Sequence, residues 1–173
     1  MLKIVSAPNK VLTLPSKEVK TIDKKILRLV IEMEEALLAQ RDPQGVGLAA
    51  PQVGINIRLY IVKANPKAQT QVFINPKILE TEGLPAKDTE ERFEGCLSIP
   101  RIWAPLKRAQ KVKVEYLDME GVKHTKWFTG FNATVALHEV DHLEGILFTQ
   151  RCLEQNISLY EEKGDKLQKL KSL

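Results

Sequence analysis

The segment from His138 to Gly145, which reads His-Glu-Val-Asp-His-Leu-Glu-Gly, constrains this chain more than any other. Residues four apart lie on the same face of an α-helix, so His138 and His142 can bind one ion between them. Glu139 lies beside that ion, and a carboxylate that does not bind the metal is free to move protons for a bound water. The segment therefore predicts a helix that carries a divalent metal and catalyses metal-assisted hydrolysis.

The residues before the first histidine indicate how this helix sits in the fold. Phe131 and Val135 extend the histidine stripe backwards at helical spacing, which predicts that this face points into the protein. Thr129 or Asn132 is expected to cap the helix, and Gly145 is expected to end it. The alternative is that the two histidines share a face by coincidence, but buried histidines need polar partners, and a metal ion supplies one.

The composition predicts one ordinary globular domain. The chain has 173 residues, of which 43% are hydrophobic, enough for a single core. Its first residues contain no apolar leader, and no segment approaches the roughly 20 apolar residues of a membrane span, so we expect a cytoplasmic protein. The net charge is +4, but lysines are interspersed with glutamates, so direct nucleic-acid recognition is not expected. Cys96 and Cys152 are expected to be separate thiols.

Two further stretches have the composition of functional loops. Residues 45–52, Gly-Val-Gly-Leu-Ala-Ala-Pro-Gln, let a backbone approach a ligand closely while its amides and carbonyls stay free. They do not match the phosphate-loop pattern, although an ordinary turn after a helix stays open as an explanation. In the stretch from Phe93 to Pro100, a deprotonated Cys96 can complete a metal site with the two histidines. A buried inert cysteine and a cysteine nucleophile are the alternatives.

Hydrophobic periodicity predicts the remaining elements. They are, in order, an extended arm over 1–20, a helix over Thr21 to Gln40, strands at Ile57 to Lys63, Gln71 to Asn75 and Ile78 to Glu82, a charged loop over Leu84 to Arg92, and a hairpin of Gln110 to Asp118 with Val122 to Thr129. His124, in the second strand of that hairpin, is expected on the surface. Leucines at helical spacing among lysines in the tail, 158–173, favour a terminal helix that is either frayed or a docking element for a partner.

Together the three motifs resemble the signature of the peptide deformylases, metal enzymes that remove the formyl group from nascent N-formylmethionyl chains. Residues 45–52 are similar to the family's glycine-rich first motif, Glu94 to Ser98 to its Glu-Gly-Cys-Leu-Ser, and His138 to Gly145 to its His-Glu-x-x-His. The resemblance covers nearly the whole chain. It implies an α+β fold of small antiparallel sheets packed around a central helix that carries the histidines.

The resemblance also sets expectations for the chain as a whole. We expect one catalytic domain over 1–173, whose tail at 158–173 is peripheral. Leu137 stands where the family usually has Gln, and Thr134 stands where Arg is frequent, so the support of the ligands or the polarity of the entrance is expected to differ here.

A metal centre is the first functional implication of the resemblance. It implies that Cys96, His138 and His142 bind one divalent ion with water in an open fourth position. The family implies ferrous iron, although zinc, nickel and cobalt suit the same ligands. Glu139 is then expected to take a proton from the water, and the Gln52 amide and the Leu97 backbone N–H to stabilise the oxyanion.

The substrate is expected to be the N-terminus of a nascent N-formylmethionyl peptide. Its backbone is expected to pair as an added strand with Val46, Gly47 and Leu48. Helix geometry and the family together suggest the apolar pocket for the methionine side chain, formed by Phe131, Val135, Leu97 and the stem of Glu94. The tail is expected to attract the anionic RNA of the ribosome through Lys163, Lys166, Lys169 and Lys171.

Two other classes of protein share parts of this pattern. A peptidase with a glutamate as third metal ligand is one, because Glu162 follows His142 at a spacing in the sequence that such enzymes use. The type whose third ligand is a histidine shortly after His142 is excluded, since Phe148 occupies that position. A structural zinc module that binds partners is the other, and it would close its fourth position with Cys152, the spare thiol.

Overall fold

Two antiparallel sheets and the helices that cover them form the fold. This computed structural model describes residues 2–41, 44–83 and 93–170. Its helices are α1 (Lys24–Leu38), α2 (Phe131–Leu143) and α3 (Phe148–Glu154), with short 3-10 helices at Lys10–Thr13 and Ala50–Val53. Its strands are β1 (Gly47–Ala49), β2 (Leu59–Val62), β3 (Gln71–Glu82), β4 (Glu94–Cys96), β5 (Ile99–Ala104), β6 (Lys111–Leu117), β7 (Lys123–Thr129), β8 (Tyr160–Lys163) and β9 (Lys166–Lys169). The expected α+β class is confirmed.

The larger sheet has the strand order β1-β2-β3-β6-β7 and lies between two helices. Side chains alternate between the faces of a strand, so consecutive residues of β2 pack in different cores. Leu59 and Ile61 pack with Met33 and its neighbours on α1, whereas Tyr60 packs with Val140 and its neighbours on α2. Both faces of β2 are therefore buried, which explains its continuous apolar sequence. In the described residues, no helix has the length and apolar character that crossing a bilayer requires.

The predicted first helix and the predicted hairpin are confirmed. α1 begins after Asp23, whose carboxylate accepts hydrogen bonds from the N–H groups of Lys25 (2.9 Å) and Ile26 (3.2 Å). This cap satisfies two of the amide groups that a helix start leaves unpaired. β6 and β7 pair antiparallel along their whole lengths, with Gly121 in the turn at a positive φ of 77°.

β3 differs from the prediction, because the expected second and third strands are one strand. Residues 71–82 are continuous, and β3 pairs with β6 on both sides of a register shift between Ile74 and Lys77. Asn75 takes a positive φ of 50° at this bulge, which lets Pro76 pass without ending the strand. The separate strand predicted at 78–82 is therefore wrong. The charged loop predicted over Leu84 to Arg92 lies outside the described residues.

α2 begins at Phe131, and neither Thr129 nor Asn132 caps it. The N-cap is Gly130, which has a φ of 57° and a backbone turn that no side chain supports, so the predicted caps are wrong. Gly145 follows the last turn at a φ of 73°, as expected for a residue that ends a helix. A Cβ at this glycine would lie 2.7 Å from the backbone carbon of Thr13, so the N-terminal arm packs directly against the helix end.

The tail forms a hairpin instead of the predicted helix. β8 and β9 are joined by Gly164 and Asp165, and Gly164 has the positive φ of 60° that a tight hairpin turn requires. β8 also pairs with β5, so the hairpin extends the smaller sheet, whose order is β4-β5-β8-β9. The helical spacing of the leucines was overridden because β5 offers an open row of backbone hydrogen-bonding groups. α3, between α2 and this hairpin, was not predicted.

Candidate metal centre

Cys96, His138 and His142 converge from two parts of the fold. Cys96 is the last residue of β4, and the histidines lie one turn apart on α2. Their potential ligand atoms all lie within 4.8 Å of one another, and Cys96 Sγ is 3.2 Å from His142 Nε2. Among the described residues, these three form the only such cluster of His, Cys, Asp and Glu side chains. Neither Cys152 nor Glu162 belongs to it, which removes the basis of both competing classes.

The electrostatics of the cluster suit a bound cation. Burial raises the pKa of Cys96, but the charge of His142 and hydrogen bonds from both histidines outweigh it and hold this pKa well below its ordinary value. Burial lowers the pKa of His138, but hydrogen bonds to Cys96 and Glu94 outweigh it and raise that pKa well above its ordinary value. The site therefore favours a thiolate beside positive charge, and a divalent ion can take the place of the protons on these side chains.

Two unsatisfied atoms support this fit. Glu139 is 4% exposed, and its Oε2 is buried with no hydrogen-bond partner among the described residues. His142 Nδ1 is likewise buried and has no partner in that part of the chain. A buried carboxylate oxygen without a partner is costly, and a water held beside the ligand set would supply the partner that Glu139 lacks. One sulfur and two imidazoles form a donor set that first-row transition metals accept. The residues present therefore fit a divalent metal with an open position.

Glu94 orients His138. The distance from His138 Nδ1 to Glu94 Oε1 is 2.6 Å, and because a carboxylate accepts, Nδ1 carries the proton and Nε2 is left for a ligand. Arg108 donates two hydrogen bonds to the same carboxylate, at 2.6 and 2.7 Å. Burial raises the pKa of Glu94, but the hydrogen bonds and charges of Arg108 and His138 outweigh this effect and lower the pKa to about 2. Glu94 is therefore an anion at neutral pH, hydrogen-bonded to one histidine of the cluster.

Arg108 joins this anion to α2. Its other guanidinium nitrogen donates to Asp141 Oδ2 at 2.7 Å, and Arg151 reaches Asp141 from the opposite side at 2.8 Å. The side chains of Arg108 and Glu94 are each 8% exposed. Sequence reasoning missed both arginines, because neither lies in a motif, and it quoted Asp141 within the histidine segment without giving it a role.

The glycine-rich loop, residues 45–52, places Gln52 at the site and leaves space beside Gly47. Gln52 Oε1 accepts a hydrogen bond from the Ala49 N–H at 2.9 Å, which turns its Nε2 towards Cys96 Sγ (3.6 Å) and Ser98 Oγ (3.4 Å). A Cβ at Gly47 would lie 2.8 Å from the carboxyl carbon of Glu139, so only glycine leaves room for that side chain. Gly47 therefore meets a packing requirement of the site, which an ordinary turn after a helix does not explain.

The N-terminal arm holds two motifs in place. The Val5 N–H donates to the Gln52 carbonyl at 2.8 Å, and the Ala7 N–H donates to the Ser98 carbonyl at 2.9 Å. These bonds fix the glycine-rich loop and the segment after Cys96 to one extended strand of chain. The arm was predicted to be extended over 1–20, which is wrong for the 3-10 helix at Lys10–Thr13. Its contact with both motifs was not visible in the sequence.

A pocket of about 490 Å³ opens above the cluster. It is lined by most of the residues predicted for substrate and chemistry, namely Val46, Gly47, Gln52, Glu94, Cys96, Leu97, Phe131, Val135, His138 and Glu139. Leu48 does not line it, because its side chain is fully buried in the core against α1. Phe131 is 52% exposed at the pocket, so the prediction that its helix face points into the protein holds for Val135 but is wrong for Phe131.

The pocket also has walls that were not predicted. Phe93, Trp103 and Leu106 line it, and so does Thr134. Leu137 packs on the core between α2 and the larger sheet and does not line the pocket.

His124 lies apart from the cluster, on the β6–β7 hairpin. Its Nε2 is 2.6 Å from Asp118 Oδ2, and 31% of its side chain is exposed, as expected for a surface residue.

Comparison with known proteins gives a consistent result. Residues 1–157 match the family model described as polypeptide deformylase. The chain is 39% identical over 165 residues to the peptide deformylase of Dictyoglomus turgidum, covering 94% of this chain and 99% of that one. It is 37% identical over 170 residues to that of Neisseria gonorrhoeae, covering 98% and 97%. The crystal structure of peptide deformylase from Thermotoga maritima superposes with a TM-score of 0.77 at 34% identity, covering 87% of this chain and 97% of that one.

Replacing Arg108 with methionine should destabilise the protein strongly, because it leaves the buried carboxylates of Glu94 and Asp141 without their shared cation. We expect a loss of about 3 to 5 kcal/mol in the free energy of unfolding, measured by urea denaturation. Arg151→Met is the matched control, since its side chain is 34% exposed, and it should lose about 1 kcal/mol or less. Equal losses in the two variants would show that Arg108 has no special place in the network.

Proposed function

Because this chain belongs to the polypeptide deformylase family, hydrolases that remove the N-formyl group from newly made polypeptides, we propose a role in that reaction for each residue of the site. Cys96, His138 and His142 hold one divalent metal ion, and Glu139 transfers protons. The observation that carries this assignment is the convergence of three potential ligand atoms beside a buried carboxylate oxygen that has no hydrogen-bond partner in the described residues.

Ferrous iron is the ion that we propose, as the resemblance to the family implies, although the same donors accept zinc, nickel or cobalt. A divalent cation held there would act as a Lewis acid and lower the pKa of a bound water, which the side chains alone cannot do. Metal analysis of protein purified without oxygen, together with formate release from a formylmethionyl peptide, tests the ion and the activity in one preparation.

Glu139 is the proton carrier. Burial raises the pKa of its carboxyl group to about 7, a value close to that of an effective general base at neutral pH. A bound cation would lower it again, so the two influences oppose each other. Glu139 takes a proton from the attacking water and returns it to the departing amine, after which formate leaves. Gly47 contributes by leaving the space that the carboxylate occupies.

Gln52 and Leu97 stabilise the oxyanion that forms on the formyl group. The bond from Ala49 to Gln52 Oε1 fixes the amide so that its N–H groups face the ligand cluster. Leu97 directly follows Cys96, so its backbone N–H is held beside the thiolate by the chain itself. Removing one such donor typically costs about 2.7 to 4 kcal/mol of transition-state stabilisation.

The substrate backbone pairs with β1. β1 is an edge strand of the larger sheet. The Val46 carbonyl accepts a hydrogen bond at 2.8 Å from the backbone N–H of Lys63, the residue that follows β2. Because successive residues of a strand alternate in direction, Gly47 presents its N–H and carbonyl to the free edge. An extended peptide can add there as a strand along Val46, Gly47 and Leu48.

The methionine side chain of the substrate occupies the apolar part of the pocket. Phe131, Val135 and Leu97 all line the pocket and supply its apolar surface. Only the stem of Glu94 is available to the substrate, since Arg108 and His138 occupy its carboxylate.

Cys96→Ser should lose both its metal and its activity, because a serine hydroxyl stays protonated and is a poor ligand. Cys152→Ser is the control: that side chain is also buried but lies outside the ligand cluster, so its metal content should be unchanged. Metal content by mass spectrometry and formate release measure both. Equal metal loss in the two variants would contradict the ligand assignment.

Glu139→Gln should keep the metal and lose turnover by roughly a hundred- to ten-thousand-fold, since the amide preserves the shape of the side chain but not its basicity. Metal content and formate release are measured on the same sample. If the variant loses its metal as well, Glu139 is a ligand and its role as a proton carrier is wrong.

The ribosome is the partner that we propose, with the cytoplasm as the site of action, because formylated N-termini appear there during synthesis. Lys166 and Lys169 are exposed on β9, whereas Lys163 pairs with Glu161 at 3.1 Å. Lys171 lies outside the described residues. Exposed lysines attract anionic RNA in a manner that salt screens. Deleting residues 163–173 is a poor test of this attraction, since it also removes the pairing partner of β8.

Lys166→Glu combined with Lys169→Glu should weaken co-sedimentation with ribosomes at low salt and leave formate release from a tripeptide unchanged. Lys24→Glu with Lys25→Glu changes the net charge equally on exposed residues at the start of α1, so it separates a local effect from a general one. Docking through the hairpin is wrong if both double variants sediment like the unmodified protein.

A further inference from the structure

Glu162, a residue that the sequence offered only as a rival metal ligand, binds Trp103 instead. The Trp103 indole Nε1 donates a hydrogen bond to Glu162 Oε2 at 3.0 Å, from β5 to β8. Both residues are half-buried, and Trp103 lines the pocket above the ligand cluster. The carboxylate therefore acts on a wall of the substrate pocket.

Trp103 is also fixed on its other side. It lies opposite Gly95 in the pairing of β4 with β5, and a Cβ at Gly95 would be 2.7 Å from the indole ring. The ring thus rests on the bare backbone of the residue that precedes Cys96. With packing on one side and a hydrogen bond to a carboxylate on the other, the indole has one orientation.

The same hairpin supports a second aromatic wall. Phe93 lines the pocket, and its ring meets the ring of Tyr160 edge to face, with centroids 5.0 Å apart and an interplanar angle of 86°. This is a favourable geometry for an aromatic pair. β8 therefore places Tyr160 and Glu162, which lie two apart and on one face of the strand, beneath two walls of the pocket.

We propose that Glu162 is a positioning residue that holds Trp103 as a wall for the part of the substrate beyond the formylmethionine. The formyl group must lie at the ligand cluster, and Val135 and Phe131 take the methionine side chain, which leaves the aromatic wall for the following residues. Indole and phenyl rings select apolar or aromatic side chains there. The inference rests on the site assignment proposed above.

Fluorescence tests the positioning without turnover. The chain has two tryptophans, so Trp127→Phe leaves Trp103 as the single emitter. In that background, Glu162→Ala should shift the emission of Trp103 and increase its quenching by acrylamide. Glu162→Gln should leave the emission and the quenching unchanged, because the amide oxygen can still accept the hydrogen bond of the indole N–H. Glu161→Ala is the matched control, since Glu161 adjoins Glu162 on β8 but pairs with Lys163.

Kinetics test the consequence for substrate. Glu162→Ala should raise KM for a formylmethionyl tripeptide with an aromatic second residue by about three- to tenfold, the range of one lost hydrogen bond, with kcat unchanged. Formylmethionine amide, which ends before the aromatic wall, should show no change. In a Trp103→Phe background, Glu162→Ala should have no further effect, because the donor is already gone.

Three results would overturn the proposal. One is unchanged emission and KM in Glu162→Ala; another is an equal change in Glu161→Ala. The third is an equal loss of kcat with both substrates, which would mean that Glu162 acts on the fold or on the metal centre. If the site assignment fails instead, the emission of Trp103 still responds to Glu162, so the two failures are distinguishable.

Discussion

The bridge that Arg108 makes between Glu94 and Asp141 is the interaction on which the site depends. Glu94 belongs to β4 in the smaller sheet, and Asp141 belongs to α2, which packs on the larger sheet. Cys96 arrives with the first of these elements and the two histidines with the second. A buried guanidinium between two carboxylates thus sets the distance at which a thiolate and two imidazoles meet. Such networks give little net stability, because burying charges is costly, and here the network joins β4 to α2.

The second constraint is space. The carboxylate of Glu139 and the amide of Gln52 both line the pocket, and glycine supplies the space between the chains that meet there. Gly47 gives room to Glu139, and Gly95 gives room to Trp103, in each case where a Cβ would collide with the side chain opposite. Close packing leaves no slack in a protein interior, so these contacts explain glycine at two motif positions without reference to backbone flexibility.

The C-terminal hairpin connects the periphery of the fold to its centre. β8 extends the sheet whose first strand ends in Cys96, and it places Tyr160 and Glu162 against the pocket walls Phe93 and Trp103. The family match ends at residue 157, just before this hairpin, so the hairpin is the part of the chain that the match does not describe. The outer strand, β9, carries exposed lysines, and the inner strand, β8, contacts two aromatic residues of the pocket wall.

The sequence alone was sufficient for the parts of the protein that depend on local periodicity or on contiguous motifs. Three features depend only on residues that are close together in the sequence. They are the spacing of His138 and His142, the amphipathic pattern of α1 and the alternating pattern of the β6–β7 hairpin. The resemblance of the three motifs selected the ligand role among the alternatives for Cys96, and it added a role for Gln52. Tertiary structure decided the contacts between separate segments. Arg108 binds Glu94 and Asp141, Arg151 binds Asp141, and a bulge accommodates Pro76 within β3. The tail became a strand pair because β5 had an unpaired edge, an opportunity that exists only once the sheet has formed.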